Sequence, residues 1–257
     1  MKKLIFGNVF INSPQKLELT EMWLQLNRHI NPDCDLLLVE TPASEDLSKA
    51  MPSLRGISRQ FVNNVSMVSP LVPGVNWTCF TDNIGHLSLN GKDGWSRAFT
   101  YGIHCALENN YDYVAHVEGD VLCRLMFDDV IARMTRHNLG AISTITTKWN
   151  FMEIGLIYMN CNYLREINFL DRYNWQTDTK DERSKRPENL IPEVLKPRLL
   201  YELWRGGRDE NDSENGLFVE EEFKDLYFLT HAKRHWYYHR FMQIHAPELN
   251  WRHLFPF

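Results

Sequence analysis

At 257 residues the chain is long enough for one large α/β domain with a substantial core. Its 44% hydrophobic and 24% charged content excludes a disordered or fibrous chain. A net charge of -5, with Lys and Arg scattered and not gathered into a stripe, argues against a nucleic-acid partner.

Leu4 to Phe6 form a short apolar strand that stops at Gly7 and Asn8. This run is too brief for the core of a signal peptide, and no later window approaches the roughly 18 apolar residues that span a bilayer. Ser13 and Pro14 then supply an N-cap and a first helical position. Leu19, Met22, Trp23, Leu26 and Ile30 recur at helical spacing until Asn31-Pro32 ends the pattern. Asp35 to Glu40 is the next strand, so the chain opens with a β-α-β unit and a parallel strand pair. Prolines at 42, 52, 70 and 73 mark the stretch from Thr41 to Val75 as loop-rich. Trp77 to Thr81 reads as a third strand running into Asp82-Asn83, a polar end that suits either a nucleotide contact or a capped turn.

A helix opening at Asn90 to Asp93 carries Trp95, Phe99, Ile103, Ala106 and Leu107 on one face. This leaves Lys92, Arg97 and Tyr101 on the other, as a solvated face or one turned toward phosphates. The helix feeds YDYVAHVEGDVL, residues 111–122. Val114, Ala115 and Val117 form the run of a central parallel strand, and Glu118, Gly119 and Asp120 place two carboxylates where it turns. The carboxyl ends of strands in an open α/β sheet form the ligand crevice. Two acids there suit a metal or a polyhydroxyl ligand, with an ordinary acidic turn as the plain alternative.

Phe127, Val130, Ile131 and Met134 mark another helix, ending near Gly140, and Ala141–Thr147 and Gly155–Asn160 read as strands. Gly155 serves either a bulge or the close approach of a ligand to the backbone. Between Asp171 and Asn189 ten of nineteen residues are charged, which predicts a surface loop or lid, extended past Pro192 and Pro197. Trp149, Trp175 and Trp204 lie in or near these loops, placed for sugar stacking or for core packing. Val219 to Thr230 reads as a helix with Val219, Phe223, Leu226 and Tyr227 inward and Glu220, Glu221 and Glu222 in its first turn. His231, His235 and His239 follow at a spacing of four, the spacing of zinc ligands on a helix. Ala232 stands where a zinc protease would carry its glutamate. The five cysteines, odd in number and set in apolar segments, predict reduced core thiols and a cytoplasmic setting.

The order of these elements resembles the GT-A fold of nucleotide-sugar-dependent glycosyltransferases. YDYVAHVEGDVL looks like the strand that ends in the DxD motif, with Glu118 and Asp120 at the acidic positions. GWSRAFTYGIHCAL is similar to the helix before it, MEIGLIYMNCNYLRE to the acceptor-side strand, VEEEF to the acidic pair that includes the base of inverting members, and IHAPELNW to a C-terminal segment with a metal-binding histidine. The resemblance implies an α/β, Rossmann-like, mainly parallel sheet flanked by helices, with a loop-rich, aromatic C-terminal part. It implies one domain over 1–257, in which 1–123 binds the nucleotide sugar and 140–257 faces the acceptor.

The resemblance further implies a nucleoside-diphosphate sugar donor, a glycan or glycoconjugate acceptor and a Mn²⁺ or Mg²⁺ cofactor. Phe6, Asn8, Asp82, Arg97, Tyr101, Glu118, Gly119, Asp120 and Gly155 would contact the donor. Asp120 and His245, with Glu118, would hold the metal, and Glu221 or Glu222 would be the base of a reaction that leans toward inversion. Glu118, longer than the family's usual aspartate, is expected to serve the sugar nucleotide more than the metal. A sugar nucleotidyltransferase is the alternative enzyme, but FGNVFINSPQ lacks the glycine-rich basic loop that class carries after its first strand. The non-enzyme alternative is an inactive GT-A domain that binds glycan or protein.

Overall fold

The computed structural model describes residues 1–43, 46–85, 92–145, 152–175, 186–207, 220–230 and 235–249, and only the backbone of 92 and 220–222. In chain order the strands are β1 (Lys3–Val9), β2 (Asp35–Glu40), β3 (Arg59–Val62), β4 (Val75–Phe80), β5 (Tyr113–Val117), β6 (Val121–Cys123), β7 (Ala141–Ile145), β8 (Met152–Asn160), β9 (Leu199–Glu202), β10 (Gly206–Gly207) and β11 (Phe228–Thr230). The helices are α1 (Pro14–Ile30), α2 (Lys92–Glu108), α3 (Phe127–Arg136), α4 (Cys161–Glu166), α5 (Phe169–Arg172), α6 (Pro187–Leu195), α7 (Glu220–Asp225) and α8 (Trp236–His245).

Eight strands form one sheet in the order β3-β4-β2-β1-β5-β8-β7-β9, and β10-β11-β6 form a small second sheet. β1 pairs in parallel with β2 and with β5, while β8 runs antiparallel to both β5 and β7. The carboxyl ends of β1, β2, β4 and β5 therefore emerge along one edge, where an open parallel sheet collects its ligands.

Alternation along β1 divides the core. Ile5 joins Trp23, Leu24, Ala115 and Val117 beneath α1, whereas Leu4 and Phe6 join Phe99, Ile103 and Val114 beneath α2. α1 starts where its sequence predicts: Ser13 Oγ accepts from the Lys16 amide at 3.3 Å and Pro14 fills the first turn. Its Trp23 is fully buried and donates Nε1–H to the Val117 carbonyl at 2.9 Å. The indole fits because residue 7 is glycine; a Cβ there would stand 2.8 Å from both Trp23 Cζ2 and the Val117 oxygen.

Several expectations are corrected. Phe6 is fully buried under α2, where Gly102 admits it so closely that a Cβ at 102 would lie 2.2 Å from its ring. Tyr101 is also fully buried, with its hydroxyl 3.5 Å from Thr78 Oγ1. Neither reaches the crevice, because α2 contacts β1, β2 and β5 on one side and α4 and α5 on another, so its apolar face is wider than the periodicity suggested. Val219–Thr230 is not one helix: α7 stops at Asp225, and Phe228–Thr230 pair with β6, a tertiary ladder that overrides local pattern. β3 lies inside the stretch read as loop, and Pro192 sits within α6.

Trp175 and Trp204 are buried, while Trp149 and His231 lie outside the described residues. All five cysteines are buried and free. No helix among the described residues is long and apolar enough to cross a membrane.

His116 of β5 is fully buried among Phe6, Trp95 and Phe99, with Nδ1 2.8 Å from the Ile154 carbonyl. Burial pushes its pKa down from 6.5 to about 3, against the upward pull of that carbonyl and of Asp120. Between pH 6.5 and 3 the unfolded chain thus holds a proton that the folded chain refuses, and stability falls with falling pH by up to about 1.4 kcal/mol per pH unit. Replacing His116 by Phe should flatten the urea-unfolding free energy against pH across pH 6 to 4 relative to wild type; parallel profiles would refute this assignment.

Candidate functional site

The acidic turn is fixed by backbone bonds. β5 ends at Val117, the Glu118 amide donates to the Gly155 carbonyl at 2.8 Å, and the Gly119 amide donates to the Asn8 carbonyl at 3.0 Å. The Val121 amide closes the turn on the Glu118 carbonyl at 2.8 Å, and β6 begins. Gly119 is required by its neighbours, since a Cβ there would lie 2.1 Å from Val9 Cγ1 and 2.8 Å from the Asn8 oxygen. Gly155 faces Glu118: its absent side chain leaves room for the carboxylate, whose Oε2 is 3.1 Å from where a Cβ would stand. Gly155 thus admits a protein carboxylate, an approach that the sequence had assigned to a ligand or a bulge. Glu153 accepts from the Gly155 amide at 3.2 Å and is itself buried.

A cleft of about 410 Å³ opens along the strand ends, lined by Asn8, Val9, Phe10, Thr41, Asn83, Trp95 and Glu118 among others. A second hollow of about 180 Å³ shares Asn8, Val9, Phe10 and Glu118 with it and adds Asn12, Lys16, Thr20, Gly119 and Asp120. The two make one crevice with the acidic turn as its floor. Asn8 is nearly buried, and its Oδ1 has no hydrogen-bond partner among the described residues; Trp95 Nε1 is in the same state. Both atoms are buried in the wall of the crevice and not open to it.

Lys16, in the first turn of α1, reaches across to Asp120 Oδ2 at 3.0 Å. The sequence reading missed Lys16, although the first β-α turn of such a sheet normally faces the ligand and so signalled it. Arg97, expected to meet phosphate, is buried: Nη1 pairs with Asp82 Oδ1 at 2.7 Å, Nη2 donates to the Asp82 carbonyl, and the guanidinium lies 4.0 Å from the Phe80 ring centroid. It fixes the end of β4 and leaves Asp82, largely exposed, beside the cleft residue Asn83.

His245 is not brought to the acids. Its Nε2 donates to the Phe223 carbonyl at 2.7 Å, and among the described residues Glu118, Asp120 and His245 do not gather their ligand atoms within 4.8 Å of one another. Burial lowers the His245 pKa, with the Phe223 carbonyl opposing and Arg124 assisting. The side chains of Glu221 and Glu222 lie outside the described residues. Their helix α7 joins β11 at the end where the Leu226 carbonyl accepts from Arg124, whereas Thr230 at the other end stands opposite Val121, next to Asp120. Two carboxylates at the floor of an open cleft fit a hard divalent cation that completes its shell with water and phosphate oxygens.

No family model matches the sequence, and no curated protein matches it. Solved structures do. An active-site mutant of LgtC superposes with a TM-score of 0.56 at 11% identity, over 99% of this chain and 100% of that one. The bifunctional glycosyltransferase WbbM gives a TM-score of 0.57 at 11% identity, with 96% of this chain covering 49% of that chain, so the match corresponds to about half of WbbM. The glycosyltransferase GlyE of Streptococcus pneumoniae TIGR4 gives 0.53 at 9% identity, over 98% of this chain and 62% of that one. At such identities the agreement is one of fold: the chain has the GT-A glycosyltransferase architecture, a mainly parallel eight-stranded sheet flanked by helices.

Replacing Gly119 by Ala should force Val9 and the Asn8 backbone apart and destabilise the protein by about 1–3 kcal/mol. Chemical denaturation would show this as a lower midpoint at unchanged slope. A variant as stable as wild type would mean that β1 and the acidic turn are not packed as described.

Proposed function

We propose that the chain is a glycosyltransferase that takes a sugar from a nucleoside-diphosphate donor bound along the crevice and passes it to a hydroxyl of a glycan or glycoconjugate. The observation that carries this reading is the acidic turn at the end of β5, set at the floor of a cleft on the carboxyl edge of a GT-A sheet. LgtC, described as a galactosyltransferase and crystallised with donor and acceptor sugar analogs, superposes over 99% of the chain with a TM-score of 0.51.

Asp120 and Glu118 are the residues that would hold Mn²⁺ or Mg²⁺. When bound, such an ion offsets the charge that develops on the departing diphosphate. With carboxylates alone the donor set suits either ion. Lys16 holds its ammonium beside Asp120 and is placed to turn that charge toward the diphosphate once the carboxylate takes another cation. An inverting reaction needs a base, and Glu221 and Glu222 keep that role on the family resemblance alone.

A panel of nucleoside diphosphates with Mn²⁺ or Mg²⁺ should raise the melting temperature, by an amount equivalent to about 2.7 kcal/mol at 100-fold over Kd. Asp120→Ala should abolish that shift and lower sugar transfer at least about 100-fold while leaving the far-ultraviolet circular dichroism unchanged. A panel that gives no shift would favour the inactive domain. NMR of the product anomer, with Glu221→Gln and Glu222→Gln alongside, reads the stereochemistry; wild-type turnover in both variants would remove the base assignment.

A further inference from the structure

The zinc-like histidine spacing near the C-terminus belongs to a different place from the crevice. His235, at the start of α8, and His239, one turn later, both meet Glu18 of α1. Glu18 Oε2 is 3.1 Å from His235 Nε2, and Oε1 is 3.2 Å from His239 Nε2. One ligand atom from each residue lies within 4.8 Å of the others, and the imidazole centroids are 5.1 Å apart. On α1, Lys16 and Thr20 line the crevice. Glu18 is two residues from each, about 200° around the helix, and so leaves α1 on the side away from it.

The contact between His235 and Glu18 is close without being a hydrogen bond. Neither ring nitrogen of His235 has a hydrogen-bond partner among the described residues, even though Nε2 is 3.1 Å from a carboxylate oxygen. The nitrogen is close to the oxygen but not aimed along a hydrogen bond. A tetrahedral zinc ion with bonds of about 2.0–2.1 Å separates its donors by roughly 3.3 Å, so one Glu18 oxygen would serve it, in place of the two that now each face one imidazole. Two imidazoles and one carboxylate form a borderline donor set, with water in the fourth position. All three side chains are at least two-thirds buried, so little further ordering is needed to bind an ion.

We propose that Glu18, His235 and His239 form a Zn²⁺ site that clasps α8 against α1, separate from the cation held at Asp120. The site fastens the C-terminal helix, which packs on α7 and ends at His245, to the helix that supplies Lys16.

The test uses the full chain stripped with chelator and titrated calorimetrically with Zn²⁺ alone, without nucleotide. One equivalent should bind, and saturating zinc should raise the melting temperature by about 5–10 °C. His239→Ala and Glu18→Gln should each weaken binding at least about tenfold, whereas Asp120→Ala should bind as wild type does. If His239→Ala does not fold, Glu18→Gln, nearly the same in shape, still reads the site. Co²⁺ should give the visible absorption of a four-coordinate ion, lost in Glu18→Gln. The proposal is overturned if no equivalent of zinc binds, or if Glu18→Gln binds it as wild type does. Loss of binding in Asp120→Ala would place the ion in the crevice and overturn it equally. Because zinc binding is read without donor or acceptor, its outcome is independent of whether sugar is transferred.

Discussion

The amide of Gly119 donates to the carbonyl of Asn8 just beyond the last ladder pair of β5 and β1, and the layout of the crevice follows from that bond. A side chain at 119 would prevent it, so the glycine is the condition for β5 to pass so close to β1 at the point where it turns. Once the turn is closed, Glu118 leaves over Gly155 and Asp120 leaves toward α1. One glycine thus sends two acids to two sides of the same hollow.

Much of the N-terminal half was readable because its signals are local. Ser13-Pro14 and the spacing from Leu19 to Ile30 define α1, and the apolar run through Val117 followed by acid defines the end of β5. What failed in that half was the width of burial. Phe6 and Tyr101 looked available because periodicity marks the centre of an apolar face and not its margins, and Gly102 lets α2 sink onto Phe6 until the margin closes. Arg97, expected to meet the donor's phosphates, is partnered by Asp82.

The C-terminal third was less legible because its elements depend on partners distant in sequence. β11 exists by pairing with β6, more than a hundred residues earlier, and nothing in Phe228–Thr230 alone distinguishes strand from helix. His245 shows the same limit in chemical form: the sequence motif supplies an imidazole, and the fold spends its Nε2 on the Phe223 carbonyl. His235 and His239, whose spacing suggested zinc although Ala232 stands where a protease would carry its glutamate, meet a glutamate supplied by α1.

The Trp23 indole occupies a slot opened by Gly7 and holds the Val117 carbonyl, the last oxygen of β5 before the acids. Position 7 has no space for a larger residue while the indole is present, and without the indole the buried Val117 oxygen loses its donor one residue before Glu118. Residues 7 and 23 therefore form a unit of inheritance spread over two elements. A homologue that alters one must alter the other to keep the acidic turn in place, so among distant relatives this pair should change together even where the surrounding sequence has drifted beyond alignment.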